Sequence, residues 1–546
     1  MSGPLNSQNF TPRIISFDRV HCAIDYDMAN LSMIEVDGGY VAIDSGSHPS
    51  IAEQIVPEWD RIAAGPLLGL IYTHAHSDHI GGAAAMALDG VPIWAQRRFF
   101  SEIEETQLLP VAYFRRGSRQ FGFALPEEQV GTCGIGRPMR SPPGFRPPIR
   151  IPNQLFDQTA AFEIGGTKFV LQHAPGETDD HLFVWLPDRR VLFAGDNIYR
   201  AFPNLYSIRG VPPRPIRGWI ESIDQMRRLC PQPELLILGH TEPIEGAAAI
   251  EELLTTYRDA IAYVHDSVLR GINAGKAPDE LVETIRLPKH LADHPFLIEQ
   301  YGTLRASIRG IFGGYMGWLD GQGVNLDPVT DREIAPWIVE ELGGIGKVLQ
   351  RIDGALESGN LRRAIWLSRI ASCHDLNNRQ VRNAVARVLE EAANCSVNPL
   401  ERNWRLTESG ELRQQIKLGK PQINGDSIDE LPALQLLRLL PSRIRPEATS
   451  RLKMTIAFEF HDMGQRLALM IRRGVGEVVP EFVGPADLTI SCTEIDFKRV
   501  FIGREFRPTQ PQFWKALKFS VPERGLAGHF RRLLRIARLG KIFIPP

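Results

Sequence analysis

The stretch Ile71-Tyr72-Thr73-His74-Ala75-His76-Ser77-Asp78-His79-Ile80-Gly81-Gly82 holds the densest chemistry in the chain. Three of the 14 histidines fall within six positions, with an aspartate beside the last of them. The apolar run Leu67 to Thr73 leads in, and two glycines follow. Such a run predicts a buried strand, which would release four polar groups onto a turn at its C-terminal edge. Side chains on a short turn diverge toward two centres more easily than those on a regular strand or helix. Imidazole and carboxylate are the donors that zinc prefers, with room for iron or manganese. The alternative is a polar turn with incidental histidines, and the density of the spacing argues against it.

Other short apolar runs, punctuated by Gly, Pro and Asp, surround this one. Ser32 to Val36, Gly39 to Asp44, Val91 to Ala95, Lys168 to Gln172, Leu182 to Leu186, Val191 to Ala194 and Leu235 to Leu238 all read as buried strands. Helical patterns lie between them over His79 to Leu88 and Ile216 to Arg228. Strands mixed with helices predict a layered α/β domain over residues 1–246. The Pro- and Gly-rich residues 124–153 read as a long surface loop.

The pattern then changes. Ala247 to Val268, Ile345 to Glu357, Leu361 to Ala371 and Asn377 to Ala393 carry helix-period apolar residues, predicting an all-helical domain over 247–410. Tyr315 and Trp318, with Phe312, lie at helical spacing and read as core or interface. From residue 428 to 546, Met454 to Phe460, Gln465 to Arg472 and Asp487 to Cys492 alternate like antiparallel strands. Helical stretches at Leu431 to Leu440 and Asp496 to Phe501 flank them, which predicts a small α+β domain. The basic, amphipathic tail His529 to Lys541 reads as a helix packed on its own domain rather than on a membrane.

Bulk properties set the remaining bounds. At 546 residues the chain is expected to form about three to four domains. Hydrophobic residues at 43% and charged residues at 23% exclude a wholly disordered or fibrous chain. A net charge of −2 argues against a nucleic-acid partner. Six scattered cysteines, with no CxxC pair, predict buried thiols rather than a disulfide framework. No run approaches the ~20 apolar residues of a membrane span, and the polar start MSGPLNSQNF lacks the core of a secretory signal. A cytoplasmic protein is expected.

The turn at 74–79 resembles the HxHxDH signature of the metallo-β-lactamase superfamily. The resemblance implies an αββα sandwich with a dinuclear metal centre at one edge, two divalent ions with zinc the first choice. It implies that His74 and His76 hold one ion, and Asp78 and His79 the other. Three later strand ends supply further candidates. Ala174-Pro175-Gly176-Glu177 offers Glu177, with His181, Asp179, Asp180 and His173 as rivals. Phe193-Ala194-Gly195-Asp196-Asn197 offers Asp196 at the bridging position, and Leu238-Gly239-His240 offers His240.

Glutamate after Pro-Gly is similar to the alkylsulfatase branch, which includes hydrolases of dodecyl sulfate. Asp27 to Glu35 is similar to that branch's first strand, and Asn204-Leu205-Tyr206-Ser207-Ile208-Arg209-Gly210 to its segment after the bridging acid. Leu287 to Pro295 and Ser307 to Trp318 are similar to its helical dimerisation domain, and the C-terminal part to its sterol-carrier-protein-like domain. The resemblance therefore implies a homodimer that cleaves an amphiphilic, anionic alkyl sulfate ester to alcohol and sulfate by a metal-bound hydroxide. It gives Asp78, Asp196 and Arg209 catalytic roles and assigns substrate contacts to Asn197, Asn204, Tyr206 and Arg209, and Arg119 is a further candidate for substrate contact. A planar guanidinium suits sulfate oxygens through paired hydrogen bonds.

The chain departs from that branch in three places. Asp196 stands where a glutamate is usual, and Pro-Gly-Thr-Glu is shortened to Pro-Gly-Glu177. The branch's tyrosine-rich stretch reads here Arg115-Arg116-Gly117-Ser118-Arg119-Gln120-Phe121-Gly122, with two phenols missing and an extra guanidinium. These changes motivate an alternative, a dinuclear hydrolase of carboxylic, thio- or phosphoric esters. A non-catalytic lipid-binding protein is a third reading, and it would leave the ligand set unexplained.

Overall fold

The most continuous apolar strand runs are those covered on both faces. In the strand Leu182–Leu186, Leu182, Val184 and Leu186 enter one core while Phe183 and Trp185 enter another. The computed structural model describes residues 10–63, 65–87, 89–139, 149–419, 431–502 and 517–520. Its first seven strands run β1 (Arg13–Phe17), β2 (Val20–Ile24), β3 (Leu31–Val36), β4 (Gly39–Ile43), β5 (Leu67–Ile71), β6 (Ile93–Gln96) and β7 (Gln154–Phe156). They form one sheet in sequential order. β1 to β4 pair antiparallel and β4 to β7 parallel.

The second sheet holds β8 (Thr159–Ile164), β9 (Thr167–His173), β10 (Leu182–Leu186), β11 (Val191–Phe193), β12 (Leu235–Ile237) and β13 (Ile244–Glu245). The inner faces of the two sheets share one core, in which Ile34, Val41 and Ile71 meet Leu171, Val184 and Phe193. On the outer side of the first sheet lies the helix Pro49–Ile62, whose Trp59 ring sits 6.0 Å from Tyr40 of β4. On the outer side of the second lie the helices Ile216–Leu229 and Ala247–Asn273. The layers are therefore helix, sheet, sheet, helix.

That outer core runs without a break past residue 246. Leu254, Tyr257 and Ile261 of the Ala247–Asn273 helix join Trp219 and Phe183 in it, and Ile308 and Phe312 of the helix Leu304–Met316 follow. Helices Asp331–Glu341, Ile345–Glu357, Leu361–Asp375 and Arg379–Asn394 form a second, all-helical core around Val348, Ile352 and Val381. The described residues divide into two compact units. One is drawn from Met1–Phe99, Tyr113–Pro143 and Pro152–Lys420, the other from Phe100–Ala112, Gly144–Ile151 and Pro421–Pro546.

In the second unit, β14 (Lys453–Phe460), β15 (Gln465–Arg472), β16 (Val475–Val479), β17 (Leu488–Cys492) and β18 (Lys518–Ser520) form a sheet in the order β16-β15-β14-β17-β18. Phe497, on the helix Glu494–Phe497, packs edge-on against Phe458 and Phe460. This α+β unit, the helical region and the αββα layers make up the expected fold class.

Three local expectations change. The helix expected over His79 to Leu88 is two short turns, Ser77–Ile80 and Ala83–Met86, separated at Gly81-Gly82. A Cβ on Gly81 would lie 2.3 Å from the Ser47 carbonyl oxygen, and one on Gly82 would lie 2.0 Å from that of Ser45. The glycines let the loop after β4 close over the turn. β17 runs parallel to β14, not antiparallel, because its connection crosses over rather than folding back as a hairpin. Within 124–153, Cys133 and Ile135 are buried against Met28, Tyr199 and Ala201, so this part is core rather than surface loop. The basic tail at 529–541 lies outside the described residues. Among the described residues no helix is long and apolar enough to cross a membrane. All six cysteines are free.

Candidate metal centre

β4, β5, β11 and β12 end at the same edge of the sandwich, and the chemistry gathers just beyond them. After β5, the Thr73 backbone N–H donates to Asp44 Oδ1 at 2.8 Å and its hydroxyl donates to Asp44 Oδ2 at 2.8 Å. Asp44 follows β4 with φ of 60°. The same Oδ2 lies 2.7 Å from His79 Nδ1. A carboxylate only accepts, so Nδ1 carries the proton and the Nε2 lone pair faces inward. His240, after β12, is fixed the same way: its Nδ1 donates to the Met28 carbonyl at 2.8 Å. Thr73 Oγ1, already donating to Asp44, accepts from His74 Nδ1 at 3.1 Å and turns His74 Nε2 inward as well.

Asp196 sits between these rings. Its Oδ2 is 3.1 Å from His240 Nε2 and 3.7 Å from His74 Nε2, and its Oδ1 is 3.3 Å from His79 Nε2. Asp78 Oδ2 lies 3.6 Å from both His79 Nε2 and His240 Nε2. His74 Nε2 is 2.9 Å from His76 Nδ1. Two triads result, His74–His76–Asp196 and Asp78–His79–His240, each with its donor atoms within 4.8 Å of one another.

This arrangement fits divalent cations. His79 Nε2 and Asp196 Oδ1 are buried without a hydrogen-bond partner. Imidazole lone pairs aimed at carboxylate oxygens are repulsive unless a proton or a metal ion stands between them. The titration behaviour says the same. Burial opposes charge on His79, yet Asp196, Asp44 and Asp78 outweigh it and hold its pKa well above the ordinary value. Burial likewise opposes charge on His240, and Asp196 raises its pKa. Burial also disfavours the Asp196 carboxylate, but His240 and His79 hold its pKa well below the usual range. His74 and His76 go the other way: burial pushes both down, helped by His79 at the first and Arg209 at the second.

The neighbouring loops brace this cluster. Gly195 adopts φ of 53°, and a Cβ there would lie 2.6 Å from His181 Nε2. That nitrogen accepts the Asp196 N–H at 3.0 Å, and burial lowers the His181 pKa to about 3. His181 is thus committed to the backbone. His173 faces the Asp179 carbonyl, Asp179 pairs with Arg98, and Asp180 accepts from Thr178. None of these four rivals enters a triad.

Glu177 comes to the same pocket, but its carboxylate pairs with the buried guanidinium of Arg214 and belongs to neither triad. Burial raises its pKa against the pull of Arg214. The Tyr199 hydroxyl lies 3.4 Å from Glu177 Oε2. The Asn197 carboxamide accepts from the Glu177 N–H at 3.1 Å and donates to the Ala174 carbonyl at 2.8 Å. With its oxygen and one N–H used in this way, Asn197 holds the Pro-Gly turn. Trp219 donates to the Asn197 carbonyl at 2.9 Å and locks this turn to the outer core.

His76 and Arg209 are partly open to solvent, whereas His74, Asp78, His79, Asp196 and His240 are buried. Arg209 Nη2 lies 3.4 Å from His76 Nε2, so a cationic group stands at the open side. Burial and the neighbouring Arg214 lower the Arg209 pKa. Arg214 Nε and Nη2 are buried without a hydrogen-bond partner. Asn204 and Tyr206 line a small cavity with Tyr301 whose lining includes neither Arg209 nor a triad residue, and Tyr206 rests against Gly310. Arg119 is turned away: it donates to Glu411 at 2.7 Å and lies over the Trp404 ring. The residues missed in the sequence are Asp44, whose signal was an acid closing an apolar strand, and Arg214, inside the Pro-rich Val211-Pro-Pro-Arg214-Pro with no local pattern to mark it.

Layered sheets with paired imidazole–carboxylate triads at one edge define a metal-dependent hydrolase of the metallo-β-lactamase class. Comparison with known proteins agrees. Residues 24–240 match the metallo-beta-lactamase superfamily, and residues 277–415 match the alkyl sulfatase dimerisation family. A linear primary-alkylsulfatase from Pseudomonas sp. is 32% identical over 466 residues, covering 82% of this chain and 88% of its own. An alkyl/aryl-sulfatase from Saccharomyces cerevisiae is 30% identical over 416 residues, covering 73% of this chain and 63% of its own. The solved structure of the stereoselective inverting sec-alkylsulfatase Pisa1 from Pseudomonas sp. is 25% identical, with a TM-score of 0.88 over 95% of this chain and 84% of that one. The chain belongs to the alkylsulfatase family of the metallo-β-lactamase superfamily.

Proposed function

We propose that the protein hydrolyses alkyl sulfate esters to an alcohol and sulfate. The observation that carries this is the Arg209 guanidinium 3.4 Å from His76, at the open side of two triads that are buried apart from His76 itself. His74, His76 and Asp196 would hold one divalent ion and Asp78, His79 and His240 the other, with Asp196 reaching both groups. Zinc is the ion its nitrogen and carboxylate donors suit best. Glu177 completes the set only by exchanging its bond to Arg214 for an ion. When bound, the ions supply Lewis-acid charge and an activated water.

The chain's own residues orient and bind. Asp44 keeps His79 in the tautomer that aims Nε2 inward, and Met28 does the same for His240. Arg209 receives the sulfate oxygens in paired, charge-assisted hydrogen bonds, and the spare N–H groups of Arg214 back it up. Asn204 and Tyr206, beside Tyr301, shape the wall along which the ester's organic group leaves the anion pocket.

Exposed apolar side chains support a homodimer. Trp318 is 73% exposed and Trp337 59%, both inside the region that matches the dimerisation family. Apolar surface of this kind calls for a partner. We divide the chain functionally at 1–246, 247–410 and 428–546, the last a sterol-carrier-like domain in keeping with its five-stranded sheet. The test is sulfate release from C8–C12 alkyl sulfates, with and without a chelator, beside lactones, thioesters and phosphodiesters. Ester turnover without sulfate release sinks the reading.

A further inference from the structure

Arg209 sits on irregular backbone, where no sheet or helix fixes its N–H and C=O. Two side chains of the helix Pro110–Phe121 do so instead. Gln120 Oε1 accepts the Arg209 N–H at 2.8 Å and the Ser207 hydroxyl at 3.1 Å. One turn earlier on the same face, Arg116 donates to the Ile208 carbonyl at 2.8 Å and to the Arg209 carbonyl. Both backbone groups of Arg209 are therefore held by one helix. Gln120 is 1% exposed, so no water can take its place at low cost.

The helix is itself pinned. Arg116 and Arg119 lie over the Trp404 ring, at 5.4 Å and 5.7 Å from its centroid. Arg119 also pairs with Glu411 at 2.7 Å. Trp404 and Glu411 belong to the helix Pro399–Leu412. A long guanidinium side chain loses much conformational freedom when it grips an anion, and fixing its backbone origin beforehand reduces that loss.

We propose that Gln120 and Arg116 are positioning residues for Arg209, and that through them the Pro399–Leu412 helix sets the geometry of the anion pocket. This rests on the reading of Arg209 as the residue that binds the sulfate group. It also gives the extra guanidinium at Arg119 a role in bracing rather than in substrate contact.

The test uses the full-length, metal-loaded protein, with a primary C8–C12 alkyl sulfate as substrate and inorganic sulfate as inhibitor. Gln120→Met removes the acceptor at nearly constant volume. It should raise KM and the sulfate inhibition constant about tenfold, with kcat within about threefold and metal content unchanged. Gln120→Glu keeps an acceptor oxygen and should recover both constants to within about threefold of the parent. Arg116→Met, at an exposed position where folding is not at stake, should repeat the Gln120→Met pattern. In an Arg209→Ala background neither change should add a further loss. If Arg209→Ala raises both constants while Gln120→Met and Arg116→Met leave them alone, the inference is overturned and the Arg209 reading survives. The inference also fails if the losses simply multiply in the double variants. If Arg209→Ala moves neither constant, the underlying reading falls and takes the inference with it.

Discussion

The proposed pocket for cations and the proposed wall for the anion lie side by side and are built in opposite ways. The cation pocket takes its groups from the ends of β4, β5, β11 and β12, buries all but His76, and ties His74, His79 and His240 by their outer nitrogens. The anion wall takes Arg209 and Arg214 from irregular backbone and leaves Arg209 partly open. It borrows its rigidity from side chains of distant helices. At a strand end the sheet already fixes the backbone, and one hydrogen bond to the far ring nitrogen is enough to aim a short side chain. A long guanidinium on a loop needs an external brace. Precision therefore comes from the sheet in one region and from packing between helices in the other.

Substitutions can break that comparison in order of severity. His76→Ala and Asp78→Ala each remove a donor from a different triad. Both should cut turnover by about a thousandfold or more and lower the metal content, with the circular dichroism spectrum unchanged. Normal rates in either variant would dissolve the cation pocket as drawn. Asp44→Asn touches no ion but releases His79 from its tautomer. Metal affinity should fall about 10–100-fold, measured by competition with a chromogenic chelator, and excess metal should restore activity.

On the anion side, Arg209→Ala should raise KM for alkyl sulfates by about 10–100-fold, the worth of a charge-assisted hydrogen bond, with metal content intact. Loss of metal instead would move Arg209 to the cation side. The smallest effect belongs to Arg119→Met, because that guanidinium faces Glu411 and Trp404. Its KM should stay within about threefold of the parent. A larger rise that persists in an Arg209→Ala background would return Arg119 to the substrate wall, whereas one that vanishes there would make it part of the brace on Arg209.

The contrast also explains what could be read from the residues alone. The turn at 74–79 is a local pattern, and the strand ends carrying Asp196 and His240 are local too. Buried strands follow from runs such as Leu182–Leu186, whose continuous apolarity reports two covered faces, whereas the sandwich came with the family resemblance. Asn197 and Arg119 read as candidates for substrate contact, yet one spends its carboxamide on Glu177 and Ala174, and the other pairs with Glu411. Nothing within a few residues of either position announces those partners. The same blindness let Asp44 pass as a plain strand terminus and Arg214 as part of a Pro-rich loop.

By itself the sequence determined the buried strands and the crowding of imidazole and carboxylate on one turn, and through its resemblance to a known family the order of layers. The first two depend on periodicity and on close spacing along the chain. Only the tertiary structure decided which nitrogen of each ring points inward, that Asp196 stands between both triads, and that Glu177 meets Arg214. It alone decided, too, that Gln120 and Arg116 carry the backbone of Arg209. Those facts are contacts between residues far apart in the chain, and they exist only once the two sheets and the helices have closed on each other.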